Sequence, residues 1–264
     1  MTEKLPAVFE LVAPQGWRSI DFISDLHLCA AMPHTFDVWS AYLRHTPADA
    51  VFMLGDLFEL WVGDDMRSRA FEKRCLDVLA EASGVRRTFF MAGNRDFLLG
   101  PDMLRESGMT TLPDPTLLSA WGRRLLLSHG DALCLDDKPY QAFRAEVRSS
   151  RWQQQFLARP LPERLAIAAQ IRQASQDTHE RRQFDGDAGA DVDLQAALAS
   201  LHAARASDLI HGHTHRPGSE ELAPGHCRHV LSDWDMDTAQ RAQVLRWSSA
   251  TGLRRLSPAT GHHG

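Results

Sequence analysis

No stretch of this 264-residue chain approaches the run of about 18 apolar residues that a bilayer span needs. Met1 to Leu11 carries Glu3, Lys4 and Glu10 in place of a continuous hydrophobic leader. Export is therefore not expected, and a cytoplasmic location is. Cysteine is scarce: Cys29, Cys75, Cys134 and Cys227 stand far apart without a C-x-x-C pair. That spacing argues against a disulfide framework and against a thiolate zinc site, and the four read as reduced thiols. Positive charge is not in excess either, because 29 Lys and Arg face 34 Asp and Glu for a formal net charge of -5. No global basic field then recommends nucleic acid as a partner, and no protein partner is evident. Internal repeats and low-complexity tracts are missing as well. What remains is 44% hydrophobic and 24% charged, enough to bury the core of one large domain or two small ones.

Histidine is the residue in surplus, with 13 in the chain, and several stand where chemistry would need them. Five short apolar stretches read as strands, and each runs straight into a polar, metal-type residue. Ser19 to Ile23 leads to Ser24-Asp25-Leu26-His27, Val51 to Leu54 to Gly55-Asp56, and Thr88 to Met91 to Gly93-Asn94-Arg95-Asp96. Leu125 to Leu127 leads to Ser128-His129-Gly130, and Asp208 to Ile210 to His211-Gly212-His213-Thr214-His215. Helical candidates at Pro33 to Arg44, Arg67 to Ala82 and Asp102 to Ser107 alternate with them, which predicts an α/β fold whose strands present their carboxyl ends to one edge. Further strands are expected at His229 to Leu231 and Ala242 to Trp247, antiparallel and completing a second sheet.

One region breaks the alternation. Pro139 to Arg182 has no strand signal, and its apolar residues, among them Phe143, Val147, Phe156, Leu161, Leu165 and Ile171, recur at helical spacing. Eight arginines and no lysine against four acids give the segment +4 in a chain of net -5, opposite in sign to the rest. It reads as a helical insertion at 139–182 in a core formed by 1–138 and 183–264. Two roles fit: a solvated hairpin packed on the core, or a lid over an anionic, partly apolar ligand or a lipid surface. Asp185 to Asp193 reads as an exposed loop, and Val192 to Ala206 as a helix returning to the core.

An extended backbone would point Asp25 and His27, two residues apart, toward one ion. With Asp56, Asn94, His129, His213 and His215 the donors number seven, too many for one tetrahedral zinc and suited to two ions sharing a carboxylate, for which Asp56 is the candidate. Carboxylate, amide and imidazole donors without thiolate favour Mn, Fe or Zn. Two ions about 3.5 to 4 Å apart activate water for in-line attack on phosphorus, so hydrolysis of a phosphoester or phosphoanhydride is the expected reaction class. Glycine beside the donors lets the backbone turn tightly in a crowded site.

Asp25-Leu-His27, Gly55-Asp56, Gly93-Asn94, His129 and Gly212-His213-Thr-His215 together resemble the ordered motif set of the calcineurin-like metallophosphoesterases, from about Phe22 to Pro217. The resemblance implies a four-layer sandwich, two mixed β-sheets between helices, with the helical lid inserted. It also implies one ion on Asp25, His27, Asp56 and His215 and the other on Asp56, Asn94, His129 and His213; His211 is left as a supporting residue. Arg95 stands where many of these phosphatases carry His. Arginine stays charged and cannot donate a proton to a leaving group, so Arg95 points to cleavage of a diphosphate, whose leaving phosphate needs none.

Gly55-Asp-Leu-Phe-Glu-Leu-Trp61, Gly93-Asn-Arg-Asp-Phe97, Ser128-His-Gly-Asp131, Asp136-Asp137 with Tyr140-Gln-Ala-Phe-Arg144, and His211 to Pro217 further resemble the UDP-2,3-diacylglucosamine pyrophosphatases of lipid A biosynthesis. This closer resemblance implies attack at the α-phosphorus of UDP-2,3-diacylglucosamine to give UMP and 2,3-diacylglucosamine 1-phosphate, with Mn2+ as the metal and peripheral attachment to the cytoplasmic side of the inner membrane. Asn94, Arg95 and His213 are then the catalytic residues, and Asp137, Tyr140, Ser175, His179 and Arg182 join them in contacting substrate. His179 stands where that family has Asn, and Arg182 where it has Lys. The alternatives are another dinuclear phosphoesterase activity and a non-enzymatic scaffold of the same fold.

Overall fold

The computed structural model describes residues 8–184 and 191–258, with side chains for all of these but 174–184. In chain order the elements are β1 (Phe9–Val12), β2 (Ser19–Ile23), α1 (Pro33–His45), β3 (Ala50–Leu54), α2 (Ala70–Val85), β4 (Arg87–Met91), α3 (Pro101–Ser107), β5 (Thr110–Leu112), β6 (Thr116–Ala120) and β7 (Arg123–Leu127). There follow α4 (Lys138–Val147), α5 (Ser150–Leu157), α6 (Leu161–Phe184), α7 (Leu194–Ala204), β8 (Asp208–His211), β9 (Gly218–Ala223), β10 (His226–Val230), β11 (Val244–Ser248) and β12 (Gly252–Leu256). The strands form two mixed six-stranded sheets, one ordered β1-β6-β7-β8-β10-β9 and the other β12-β11-β2-β3-β4-β5.

The pleat explains why both sheets are covered on both faces, since successive side chains point to opposite sides and nearly all are apolar. From β3, Ala50, Phe52 and Leu54 enter the core between the sheets, with Leu125, Leu127 and Ile210 of the facing sheet. Val51 and Met53 of the same strand enter the core beneath the helices, with Trp39, Leu79 and Met103. On the far side Leu117, Leu126 and Leu209 pack under Ala197 and Leu201 of α7. Helices, sheet, sheet and helix make the expected four layers.

The chain after β8 corrects one expectation. β10 pairs parallel with β8 and antiparallel with β9, and it belongs to the sheet of β7 and β8. β11 is antiparallel, to β2 and β12, in the other sheet. The two segments therefore complete different sheets, and the reason is the hairpin β9–β10, which brings the chain back alongside β8. The sequence of β9, Gly-Ser-Glu-Glu-Leu-Ala, shows no alternation because this edge strand is mostly exposed.

Residues 138–184 form three helices and no strand. Asp137 accepts the Tyr140 backbone N–H at the start of α4, and Ser149 accepts that of Trp152 at the start of α5, each meeting an otherwise unpaired donor. Phe156 is buried in the core beneath the helices, and Leu161, Leu165 and Ala168 pack against it, whereas Leu157 and Ile171 stay exposed. All four cysteines are free. Among the described residues no helix is long and apolar enough to cross a membrane.

Candidate metal centre

β2, β3 and β4 are parallel neighbours in one sheet, β7 and β8 in the other, so their carboxyl ends meet at one edge of the molecule. The ladders run on into the loops beyond them: the Asp25 N–H donates to the Gly55 carbonyl at 3.1 Å and the His27 N–H to the Asp56 carbonyl at 3.0 Å. In the other sheet the Gly212 N–H donates to the His129 carbonyl at 2.9 Å. Backbone pairing thus delivers the donors together.

Their backbone is not extended, as the Asp25-x-His27 spacing had led us to expect. Asp25, His27, Asp56, His213 and His215 all have positive φ, between 49° and 67°, and they are five of the eight such non-glycine residues among the described ones. Each such conformation costs on the order of 1–3 kcal/mol and persists where surrounding structure over-determines it. Asp25 and His27 therefore face one point through two tight turns, not through a pleat. Glycine is required beside them: a Cβ on Gly93 would lie 2.1 Å from Asp56 Oδ1, and one on Gly55, at φ +92°, 2.3 Å from His129 Nδ1.

All seven expected ligands meet here. Asp25, His27 and His215 can offer their atoms to one point, and so can Asp25, Asp56 and His129, so Asp25 is the carboxylate common to both groups while Asp56 joins one. His27 Nε2 and His215 Nε2 are 3.3 Å apart, and His215 Nε2 is 3.5 Å from Asp25 Oδ1. Asn94 Oδ1 lies 2.9 Å from both His129 Nε2 and His213 Nδ1. The Arg95 N–H donates to Asp56 Oδ1 at 2.8 Å, and the His213 N–H to Asp25 at 2.9 Å. His129 Nδ1 is 2.9 Å from the Leu54 carbonyl, which leaves Nε2 free to face the cluster.

The electrostatics fit a cation. Burial lowers the affinity of His129 for a proton, yet the carboxylates of Asp56 and Asp25 outweigh it and push its pKa up to about 9. His27 is raised in the same way, with burial opposed by Glu59, Asp56 and Asp25. Burial opposes ionisation of Asp25 too, but His215 and His129 hold its carboxyl well below the usual range. A buried, ionised Asp25 enclosed by imidazoles attracts positive charge, and the donor set suits a hard or borderline divalent ion. His211 is buried behind the loop with Nδ1 2.8 Å from the Gly212 carbonyl, and burial lowers it to about 4; it is supporting, as expected.

Sequence reasoning missed the carboxylates behind the ligands. Glu59 Oε2 is 2.9 Å from His27 Nδ1, and Asp233 Oδ2 is 3.7 Å from His215 Nδ1. Arg241 in turn clasps Asp233 through Nε at 2.8 Å and through Nη2. Glu59 stood inside a motif already singled out; Asp233 offered no signal, since it follows a different strand. Asp131 was likewise read only as part of a motif. It is buried and accepts the Tyr140 hydroxyl and Arg144 Nε, both at 2.7 Å, which fixes α4 beside the cluster and stacks Tyr140 6.0 Å from the His213 ring.

A cavity of about 470 Å³ touches the cluster at Asn94 and is lined by Arg95, Asp137 and Tyr140 and by the apolar side chains of Phe97, Phe143, Trp152, Phe156 and Ile171. Arg148 donates to the Gly93 carbonyl at 2.8 Å and lies over the Phe97 ring. Ser175, His179 and Arg182 fall on the last turns of α6, where their side chains lie outside the described residues.

Comparison with known proteins agrees with this geometry. The calcineurin-like phosphoesterase family model matches residues 18–217. A protein of Stenotrophomonas maltophilia (strain K279a) named UDP-2,3-diacylglucosamine hydrolase is 43% identical over 88% of this chain and 98% of its own length. Proteins of the same name from Xanthomonas axonopodis pv. citri (strain 306) and Escherichia coli O9:H4 (strain HS) are 46% and 42% identical, over 85% and 81% of this chain and 93% and 90% of theirs. The chain belongs to the calcineurin-like phosphoesterases, and within them to the family of the UDP-2,3-diacylglucosamine hydrolases.

Proposed function

We propose that this chain hydrolyses the diphosphate of UDP-2,3-diacylglucosamine by attack of water at the α-phosphorus, releasing UMP and 2,3-diacylglucosamine 1-phosphate. The observation that carries the reading is the cavity itself, a single chamber lined by Arg95, by Asn94, whose oxygen also contacts His129 and His213 of the cluster, and by the aromatic rings of Phe97, Phe143, Trp152 and Phe156. A substrate with a diphosphate joined to a diacylated sugar has those two characters, polar and apolar. The relatives named for this substrate support it from the side of sequence.

Two divalent cations, Mn2+ in our reading, would be held by Asp25, His27, Asp56 and His215 and by Asp56, Asn94, His129 and His213. Asp56 is the proposed bridge on the strength of the motif resemblance; its carboxylate lies 3.7 Å from His129 Nε2, whereas the carboxylate within reach of both donor groups is that of Asp25. Such ions, when bound, supply Lewis-acid charge to phosphoryl oxygens and lower the pKa of water. The protein's own part is positioning. The Arg95 Nε is buried without a hydrogen-bond partner among the described residues, so the guanidinium can bind phosphoryl oxygens. Asn94 orients His129 and His213 through one oxygen. His213, lowered to about 4 by burial and by His129, stays neutral there. Asp137 and Tyr140 line the mouth of the cavity, with Ser175, His179 and Arg182 proposed to reach the head group from α6.

Segment 139–182 then acts as the lid, its aromatic face around the acyl chains and its arginines, apart from Arg144, Arg148, Arg164 and Arg172, which the core holds, toward phosphates and the cytoplasmic face of the inner membrane, where the protein would sit peripherally. The test is UMP release from UDP-2,3-diacylglucosamine by Mn-loaded protein, run beside a generic phosphodiester with Asp56→Asn as the blank. Asp56-dependent UMP release with little diester cleavage supports the reading. Diester cleavage without UMP release leaves a dinuclear phosphoesterase and removes this substrate.

A further inference from the structure

Glu59 is the residue at which the cluster and the helical segment meet. It follows β3, its side chain is 16% exposed, and its two oxygens are divided between two tasks. Oε2 lies 2.9 Å from His27 Nδ1, on the far side of the imidazole from the Nε2 that faces Asp25 and His215. Oε1 lies 3.0 Å from Nη2 of Arg172 on α6, and 4.0 Å from Nη1 of Arg95. Among the described residues two arginines of α6 reach the segment after β3: Arg164, almost fully buried, holds the Val62 carbonyl and Asp65, whereas Arg172 is half-exposed, so its pairing with Glu59 can form and break while Arg164 keeps the start of the helix in place.

We infer that Glu59 is a positioning residue that couples metal binding at His27 to the docking of α6. The inference rests on the proposed metal site. A long, flexible carboxylate held by one partner has already lost most of its freedom, so the second partner meets it ordered and binds it more readily. With Oε1 held by Arg172, the carboxylate stays beside Nδ1, where its charge favours a proton on that nitrogen and leaves the Nε2 lone pair for an ion. The same logic runs backwards. An ion on His27 fixes Glu59 and thereby offers Arg172 a rigid dock. By linkage, α6 docking must raise metal affinity by the factor by which metal raises α6 docking. The cavity wall carried by α6, including Ala168 and Ile171, is then held more firmly over a loaded centre, by that same factor.

The experiment measures Mn2+ affinity of the full chain directly, from the free-ion electron paramagnetic resonance signal, in wild type, Arg172→Ala, Glu59→Gln and the double variant. Glu59→Gln is expected to weaken binding by about 10- to 100-fold, the usual effect of removing the group behind a ligating imidazole. Arg172→Ala is expected to weaken it about 5-fold although Arg172 is no ligand, the double variant to match Glu59→Gln alone, and Arg172→Lys to recover most of the loss. Hydrogen exchange supplies the reciprocal: Mn2+ slows the amides of residues 161–173 in wild type and leaves them unchanged in Glu59→Gln. Unaltered or tighter binding in Arg172→Ala, or losses that simply add in the double variant, overturn the coupling while leaving the metal site standing. Wild-type protein that binds no Mn2+ overturns both. If Glu59→Gln fails to fold by circular dichroism, the Arg172 variants decide alone, since their side chain sits at the surface.

Discussion

Asp25 and His129 are completely buried and Asp56 nearly so, and all three are held by backbone groups of two sheets. The helices beside them are held differently: α4 by Asp131 through Tyr140 and Arg144, α6 by Arg164 to the Val62 carbonyl and Asp65 and by Arg172 to Glu59. The cluster is thus over-determined by ladders that cannot shift singly, whereas the helical segment is held by Phe156 and its apolar neighbours and by a few guanidinium contacts. In the proposed function, chemistry that needs atoms placed to a few tenths of an ångström would sit on the first kind of support, and enclosure of a bulky ligand on the second. The contrast predicts that damage to the cluster abolishes turnover and leaves the fold, while damage to the clamps loosens the fold around an intact cluster.

The largest effect is expected from Asp56→Asn. It removes charge from the centre without opening a void, so turnover should fall about 10³-fold, roughly 4 kcal/mol of transition-state stabilisation, with the circular dichroism spectrum retained. A variant that keeps near wild-type UMP release breaks the two-metal reading. Asp131→Ala tests the other support. It leaves Arg144 and the Tyr140 hydroxyl without their buried acceptor and is expected to lower unfolding free energy by about 3 kcal/mol in a denaturant titration while Mn2+ affinity stays within about twofold. Loss of metal binding in step with stability would mean that α4 and the cluster are one unit.

Arg95→Ala lies between the two regions. Its guanidinium is expected to act on phosphoryl oxygens, so turnover should drop about 10²-fold at unchanged metal content, and equal loss of both by elemental analysis would place it among the metal's supports. Phe143→Ala addresses the aromatic wall alone. Shortening this side chain should raise KM for the diacylated substrate about tenfold and leave a water-soluble diester untouched, because only the former buries apolar surface there. Parallel changes for both substrates would demote the segment to scaffold.

What could be read in advance divides along the same line. Strand cores announce themselves because β2, β3, β4, β7 and β8 are buried on both faces and therefore apolar almost throughout, and the glycine-flanked donors at their ends are adjacent in sequence to those runs. β1, β9 and β12 lie at sheet edges with polar or exposed residues and leave no such pattern. The left-handed backbone of Asp25 and His27 was illegible, since nothing local requires it and the parallel pairing of their loop with that of Asp56 does. Glu59, Asp131 and Asp233 acquire their meaning from partners 32, 9 or 13, and 18 positions away, His27, Tyr140 or Arg144, and His215 respectively, and a charged residue near a strand end looks the same whether it backs a ligand or faces water. Arg164 is the sharpest case, an arginine in a basic helix that proves almost fully buried.

The smallest expected effect concerns a polar cluster at the opposite, amino-terminal end of β8, where neither metal nor lid intervenes. Asp208 is 3.0 Å from His229 Nε2 and 2.8 Å from Arg123 Nη2, with the Ser207 hydroxyl also donating to it. Burial opposes its ionisation, but His229, Ser207 and Arg123 outweigh burial and leave its carboxyl below the usual range. A folded pKa below the unfolded one means that the stabilisation is complete above the ordinary carboxylate pKa of about 4 and is lost as the pH falls through the lower, folded value. Arg123 is nearly half exposed and screened by solvent, so the contribution is modest, under about 1 kcal/mol. Asp208→Asn should therefore flatten the acid limb of the stability curve slightly and leave stability at pH 7 to 8 lower by the same small amount, with Mn2+ affinity and turnover unmoved. Stability followed by urea titration between pH 3 and 8 checks this. An acid limb that keeps its full slope in the variant would remove Asp208 from the acid sensitivity and leave it to the other depressed carboxylates, Asp25 of the cluster and Asp131 beneath α4 first among them.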